Sequence, residues 1–298
     1  MPAFSNSPRR ENTYIIDPEN ETEMARLMLH DRLLTKGMGG LFPERSDFST
    51  IHKVLDIACG PGGWVLDVAR TYPKIQVAGI DISQRMIDYA QAQAWVRGLP
   101  NASFRVMDAT KPLDFPDDSF DLVNARFLFG FMLPASWPRL LQECQRILRP
   151  GRIVRLTEAE WGFTNAPAFE KLCSLSSKAL QQAGQSFSPT GQHTGITPML
   201  KRLLRDARYQ HIQHMAHMIE FSAGTEAYDG FYQNLMTGFK LLQPFLIKWG
   251  GTTQQEVEDL YQQTRVEMQS DDFCAIWFLL TVWGQRPEPF PQNEAAAS

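Results

Sequence analysis

Val54-Leu55-Asp56-Ile57-Ala58-Cys59-Gly60-Pro61-Gly62-Gly63 is the stretch that decides the fold of this chain. It reads as a buried strand ending in a carboxylate, followed at once by a glycine-rich turn into a helix, Trp64 to Tyr72. Glycines at such a turn let the backbone approach a ligand closely and adopt conformations that a side chain forbids. Asp56 at the strand's tip suits a ligand with positive charge and does not suit a pyrophosphate. A dinucleotide-binding loop is the competing reading, because Gly-x-Gly-x-x-Gly also follows a first strand. In that register Val65 stands where the third glycine would pack helix on sheet, and Asp56 puts a negative charge where that site wants none.

Working outward, Gln76 to Asp81 reads as a second buried strand ending in a second carboxylate. Asp81 follows Gly60 by 21 residues, the spacing at which an acidic side chain meets ribose hydroxyls in nucleotide-binding sheets. Its two oxygens can accept from the 2′ and 3′ hydroxyls together. A helix from Ser83 to Arg97 follows, with Ser83 as N-cap and Met86 on its first turn. Ser103 to Ala109 alternates as a strand and carries a third acidic residue, Asp108. A turn-rich loop, Pro112 to Phe120, leads to a fourth strand, Asp121 to Arg126. A helix around Trp137 to Leu148 stops at Leu148-Arg149-Pro150-Gly151, and a fifth strand runs from Arg152 to Glu158. This alternation implies right-handed crossovers and a parallel sheet. Such a sheet binds ligands at its carboxyl edge, where Asp56, Asp81 and Asp108 all stand.

These features resemble the class I S-adenosylmethionine-dependent methyltransferases of the small-molecule, secondary-metabolite type. Asp56 to Gly62 is similar to the family's Asp-x-Gly-x-Gly-x-Gly motif, with Ala58 in place of the first glycine. Phe115-Pro116-Asp117-Asp118-Ser119-Phe120-Asp121 is similar to the loop before its fourth strand, and Leu148 to Arg152 to the turn before its fifth. The resemblance covers about residues 50–160. It implies a Rossmann-like, doubly wound α/β fold: a mostly parallel seven-stranded sheet with an antiparallel last strand and a helical lid. It also implies S-adenosylmethionine as cofactor and methyl transfer as the reaction. On that basis Asp56 meets the methionine amino group directly or through water, while Ala58, Gly60 and Gly62 let the backbone come close. Asp81 and the following Ile82 hold the ribose, Met86 faces the adenine, and Asp108 and Ala109 read its edge. Asn124 and Arg126 complete the cofactor set at the exit of the fourth strand. The segment Tyr14 to Glu21 and the helix after it resemble an N-terminal element that folds over the cofactor, with Tyr14 and His30 as candidates for that cap.

The second half departs from simple alternation. Helices are expected over Ala166–Gln185, Thr197–Ala207, Thr225–Trp249 and Thr253–Met268, with strands at Gln210–Phe221 and Phe273–Gly284. The expected organisation is a disordered end at 1–13, a helical cap at 14–49, the cofactor core at 50–160, lid insertions with closing strands at 161–285, and a disordered tail at 286–298. His193, in a Ser/Pro/Gly-rich loop of the lid, and Glu160, at the sheet's carboxyl edge, are the candidate catalytic residues. Phe131, Trp161, Phe163, Phe187 and Phe231 are candidates for an apolar acceptor pocket, whose π-faces also favour a sulfonium. His211, His214 and His217 lie on a strand, where alternation splits them between two faces, so no metal is expected.

The acceptor class follows by exclusion. Asn124-Ala125-Arg126-Phe127 lacks the prolines of the Asn/Asp-Pro-Pro-Tyr/Phe motif that serves nucleobase amines. The 298-residue chain has net charge −4 and pI near 5.9, with no Lys/Arg cluster beyond pairs, so no nucleic acid partner is expected. The longest apolar run, Ala275 to Val282, is too short to span a bilayer, the N-terminus lacks a signal peptide's apolar core, and the four cysteines form no Cys-x-x-Cys pair. A cytoplasmic enzyme acting on a small, largely apolar metabolite (aromatic, terpenoid or polyketide-like) is the expectation. A protein or RNA methyltransferase and a cofactor-binding regulator without turnover are the alternatives, and a homo-oligomer is compatible with the sequence.

Overall fold

The computed structural model describes residues 13–288. Five parallel strands form the body of the sheet: β1 (Lys53–Ile57), β2 (Gln76–Asp81), β3 (Ala102–Val106), β4 (Phe120–Arg126) and β5 (Leu148–Ala159). Their spatial order is β3-β2-β1-β4-β5, so β1 and β4 are central and nearly all their residues are buried. Chain direction away from β1 reverses between β1 and β4, which makes the crevice at their carboxyl ends the switch point of a doubly wound sheet.

Helices α2 (Gly63–Thr71) and α3 (Gln84–Val96) cover one face, closing a core around Trp64, Val68, Val77 and Phe104. Helices α4 (Trp137–Ile147) and α6 (Leu200–Asp206) cover the other, around Leu55, Val123, Leu141 and Leu204. Asn101 ties the first layer by donating to the carbonyls of Ala69 and Ile75, both at 2.9 Å. The last two long strands are β7 (Gln210–Glu220) and β8 (Ala275–Gln285), with β8 antiparallel to β5 and β7 antiparallel to β8.

Two details depart from expectation. The sheet has eight strands, because the two-residue β6 (Phe163–Thr164) also pairs with β8. The Leu148-Arg149-Pro150-Gly151 stretch is the start of β5, accommodated by a register shift between Phe120 and Leu122.

The third core forms where a helical layer meets the far strands of the sheet, with Ala159, Ile219 and Leu279 among its buried residues. Helix α1 (Glu21–Gly37) packs on α7 (Tyr228–Trp249), which packs with α5 (Pro167–Gln182) and α8 (Gln254–Met268). Phe169, Phe221, Phe231, Phe239 and Phe273 fill that layer. Residues 1–12 and 289–298 of the expected disordered ends lie outside the described residues. Thr13 and Arg286, assigned to those ends, are tied: Thr13 donates to the Phe131 carbonyl at 2.7 Å, and Arg286 exchanges backbone bonds with β5 and pairs with Asp118. Among the described residues no helix is long and apolar enough to cross a membrane.

Candidate functional site

The turn from β1 into α2 is built on three left-handed residues, Ala58 (φ 56°), Gly60 (φ 53°) and Gly62 (φ 79°). Cys59 N–H donates to the Ile80 carbonyl and Gly60 N–H to Asp81 Oδ2, both at 2.9 Å, so the loop is stitched to the tip of β2. A Cβ on Gly60 would meet only Leu27, at 3.7 Å, so the space above this residue is open to a ligand. Gly62 serves a different purpose from the one expected. A Cβ there would lie 2.6 Å from Phe104 and 2.8 Å from Ala90, so this glycine seats α2 against the sheet and does not line the cavity. Cys59 packs on Gly79, whose added Cβ would stand 2.8 Å from its Sγ.

Above the loop is a cavity of about 280 Å³. Its floor carries the three strand-end aspartates, together with Ala58, Gly60, Ile82, Met86, Ala109 and Arg126. Asp81 Oδ1 accepts from Ser83 N–H and Oδ2 from Gly60 N–H, each at 2.9 Å, which orients the carboxylate while burial pushes its pKa up. Asp108 Oδ1 accepts from Thr110 N–H and Oγ1 at 2.9 and 2.6 Å. Burial pushes the Asp56 carboxyl up to about 7, against the opposing pull of Arg126 and of a 2.7 Å hydrogen bond from Asn124. Asn124 is fully buried and is not among the residues lining this cavity. It was expected to bind cofactor; instead it holds Asp56, and Arg155, itself paired with Glu44, fixes its amide at 2.7 Å.

The roof comes from the N-terminal segment and α1. Tyr14 Oη donates to Glu23 Oε1 at 2.7 Å, and Arg26 grips both Glu23 oxygens, also at 2.7 Å. Arg26 further donates to Asn234 Oδ1 at 3.2 Å, and Asn234 Nδ2 stands 3.1 Å from His30 Nδ1. Burial, with Arg26 and Arg126 nearby, holds His30 well below the usual histidine range; burial and Glu23 hold the Tyr14 phenol protonated. Both residues line the cavity as expected of a cap. Asp31, which sequence reasoning missed, also lines it: Oδ1 accepts from Arg126 at 2.5 Å, while Oδ2 is buried without a hydrogen-bond partner.

The remaining wall is aromatic. Phe131, Trp161 and Phe231 line it as expected, joined by Phe127, Phe129 and Trp277. Phe163 does not: it is 58% exposed on β6, against Phe278. Phe187 packs instead into the sheet-side core beneath the cavity. Neither candidate catalytic residue reaches the cavity. Glu160 is consumed by the lid loop, accepting from Thr194 N–H at 2.7 Å, Thr194 Oγ1 at 2.5 Å and Thr197 Oγ1 at 2.9 Å. His193, beside that knot, is exposed. Glu158 accepts from Leu128 N–H at 2.7 Å, and burial raises its carboxyl to about 8. On β7, a bulge between Gln210 and Gln213 sets His211 apart, His214 is exposed, and His217 is buried beside Thr281 Oγ1 at 3.0 Å, not at the surface as its polarity suggests. Among the described residues no three His, Cys, Asp or Glu side chains are placed to share a metal ion.

Glycine turn, strand-end aspartates and switch-point cavity agree with comparisons to known proteins. Residues 54–151 match the methyltransferase-domain family. The core belongs to the class I S-adenosylmethionine-dependent methyltransferases. Curated relatives of this methyltransferase core include aklanonic acid methyltransferase DauC of a Streptomyces species, 41% identical over 39% of this chain and 52% of that protein. Another is the demethylmenaquinone methyltransferase of Deinococcus radiodurans, 35% identical over 35% of this chain and 42% of that protein. The secondary metabolism regulator laeA of Aspergillus fumigatus is 28% identical over 69% of this chain and 52% of its own length. The chain thus spans about half or less of the length of these relatives. Phosphoethanolamine N-methyltransferase 2 of Haemonchus contortus, solved with S-adenosylhomocysteine, superposes with a TM-score of 0.54 at 18% identity, over 92% of this chain and 61% of that one. At that identity the likeness speaks to the fold alone.

Proposed function

We propose that this methyltransferase moves the methyl group of S-adenosylmethionine to a small, largely apolar acceptor of aromatic, terpenoid or polyketide-like character. The observation that carries this reading is a single cavity with Asp56, Asp81 and Asp108 on its floor and an aromatic wall opposite. The residues suit the cofactor. Gly60 leaves open space where a side chain would stand, and the partnerless Asp31 Oδ2 is a buried acceptor for an ammonium group. In this reading Asp81 holds the ribose diol with the lone pairs left by Ser83 and Gly60, and Asp108 Oδ2 accepts from the adenine amine. Asp56 and Asp31 face the methionine ammonium, and Arg126 its carboxylate.

The bound cofactor supplies an electrophilic sulfonium methyl. The chain's part is positioning: the aromatic wall excludes water and holds the acceptor's nucleophilic atom in line with that methyl, which is where most of the rate gain in such a displacement arises. Among the described residues lining the aromatic side no carboxylate stands free to act as a base, so positioning is what these residues contribute to the transfer. Four unpaired cysteines support a reducing, cytoplasmic setting. The likeness to laeA over 220 residues favours, as a second reading, a regulator that binds the cofactor.

Two measurements test the proposal. Calorimetry should show S-adenosylhomocysteine binding and no response to NAD(P). Incubation with methyl-labelled cofactor and an aromatic metabolite library should transfer label to a small molecule. Binding without any transfer would favour the regulatory reading, and label arriving on protein or RNA would overturn the acceptor class.

A further inference from the structure

His30 sits where the polar roof meets the aromatic wall. Its ring lies 5.2 Å from Phe127 in an edge contact and 5.7 Å from Trp277. Its hydrogen-bond chain fixes which nitrogen carries the proton. Arg26 is a donor only, so Asn234 must turn its Oδ1 toward Arg26 Nη1, at 3.2 Å. Asn234 Nδ2, the donor end of that amide, is then the atom 3.1 Å from His30 Nδ1. Nδ1 accordingly accepts and bears no proton, and the neutral ring carries its proton on Nε2. Burial and the two flanking arginines keep the ring neutral. The polar atom that His30 has left for the cavity is therefore a donor with no lone pair. A second donor stands on the same wall: Trp161 Nε1–H is buried without a hydrogen-bond partner among the described residues. An orphaned buried donor is costly unless a ligand meets it.

We propose that His30 is the specificity-determining residue of the acceptor chamber: its Nε2–H, locked in one tautomer by Arg26 through Asn234, binds an oxygen lone pair of the acceptor, with Trp161 Nε1–H as a second donor. The chamber then selects flat apolar molecules bearing a carbonyl, carboxylate or enolate oxygen, and discriminates against amines, which would set donor against donor. His30 does not remove a proton in this scheme, since its one lone pair is taken by Asn234. The inference rests on the methyl-transfer reading only for the word acceptor; the chamber's preference for oxygen ligands stands on the hydrogen-bond chain.

The test uses the full chain. Calorimetry with S-adenosylhomocysteine comes first, and failure there counts against the methyltransferase reading alone. Selective ¹⁵N-histidine NMR, with His30→Phe to assign the signal, should then show protonated Nε2 and unprotonated Nδ1 for His30 between pH 6 and 8. The opposite tautomer, or a cation, overturns the inference without any ligand. Three probes of one shape, 2-naphthoate, 2-naphthol and 2-naphthylamine, are titrated against the fluorescence of the wall tryptophans. Naphthoate should bind about tenfold or more tighter than naphthylamine, the scale of one hydrogen bond to a charged oxygen. His30→Phe should erase that preference and His30→Gln, which keeps a donor, should retain part of it. Equal affinities in the unaltered protein, or a preference untouched in His30→Phe, would refute the assignment.

Discussion

Asp31 and Arg126, 95 positions apart, meet at 2.5 Å above the first turn of α2. One comes from the N-terminal helix, the other from the tip of β4, and both are mostly buried. The pair joins the roof of the cavity to its floor, and Arg126 also lies 5.8 Å from the Trp64 ring.

Removing one partner leaves an uncompensated charge in the interior. Asp31→Ala should therefore cost about 3 kcal/mol of stability, read as a lower urea midpoint. It should also weaken S-adenosylhomocysteine binding at least tenfold by calorimetry. Full affinity in a folded Asp31→Ala protein would detach the pair from the cofactor.

Asp81 combines two tasks that a substitution can separate. Its oxygens hold the Gly60 and Ser83 amides as well as facing the cavity. Asp81→Ala should lose about 2–4 kcal/mol of cofactor affinity, because the ribose donors and the loop amides are stranded together. Asp81→Asn keeps one acceptor oxygen and should lose less. An unchanged dissociation constant in Asp81→Ala would remove the assignment.

The buried carboxyls make stability fall as pH rises. Asp56 titrates at about 7 in the folded chain against an ordinary 3.8, and Glu158 at about 8 against 4.5. Both pKa values are raised, so the folded state binds more protons than the unfolded state between roughly pH 4 and 8. The urea midpoint of the ligand-free protein should drop from pH 5 to pH 8, less steeply in Asp56→Asn. Saturation with S-adenosylhomocysteine should flatten the slope, since an ammonium beside Asp56 favours its charged form. A midpoint that climbs across this window would contradict the assignment.

Glu160 should behave as a knot in the lid and not as a base. Glu160→Ala strands the donors of Thr194 and Thr197 and should lower stability by about 2–4 kcal/mol. A pH–rate profile should keep its shape in this variant once folded fractions are matched. Loss of one limb of that profile would restore a proton-transfer role.

How far the sequence carried depends on whether each signal was local. Strand, turn and carboxylate follow one another within a few residues at Asp56, Asp81 and Asp108, so periodicity and spacing revealed them. Asp31 could not be seen this way, because its partner lies on another layer and its sequence context is an ordinary helix. Glu160, Phe163 and Phe187 were assigned by their closeness to a strand end or lid. Past a strand end, side-chain direction is set by what packs there: the 194–197 loop captured Glu160, and pairing with β8 turned Phe163 outward. The burial of His217 is invisible in the strand itself, because Thr281, which meets its ring, lies 64 residues away.

The floor of the cavity comes from one stretch of chain, and half of its aromatic wall from others. The strand-end aspartates and, on the aromatic wall, Phe127, Phe129 and Phe131 fall inside the segment shared with the methyltransferase family, 54–151, whereas Trp161, Phe231, Asn234 and Trp277 fall outside it. Heredity can then act on the floor and on these four residues separately. Drift along α7 or β8 could reshape that part of the wall while the inherited floor continues unchanged, so common ancestry constrains the floor of the cavity far more tightly than what stands over it.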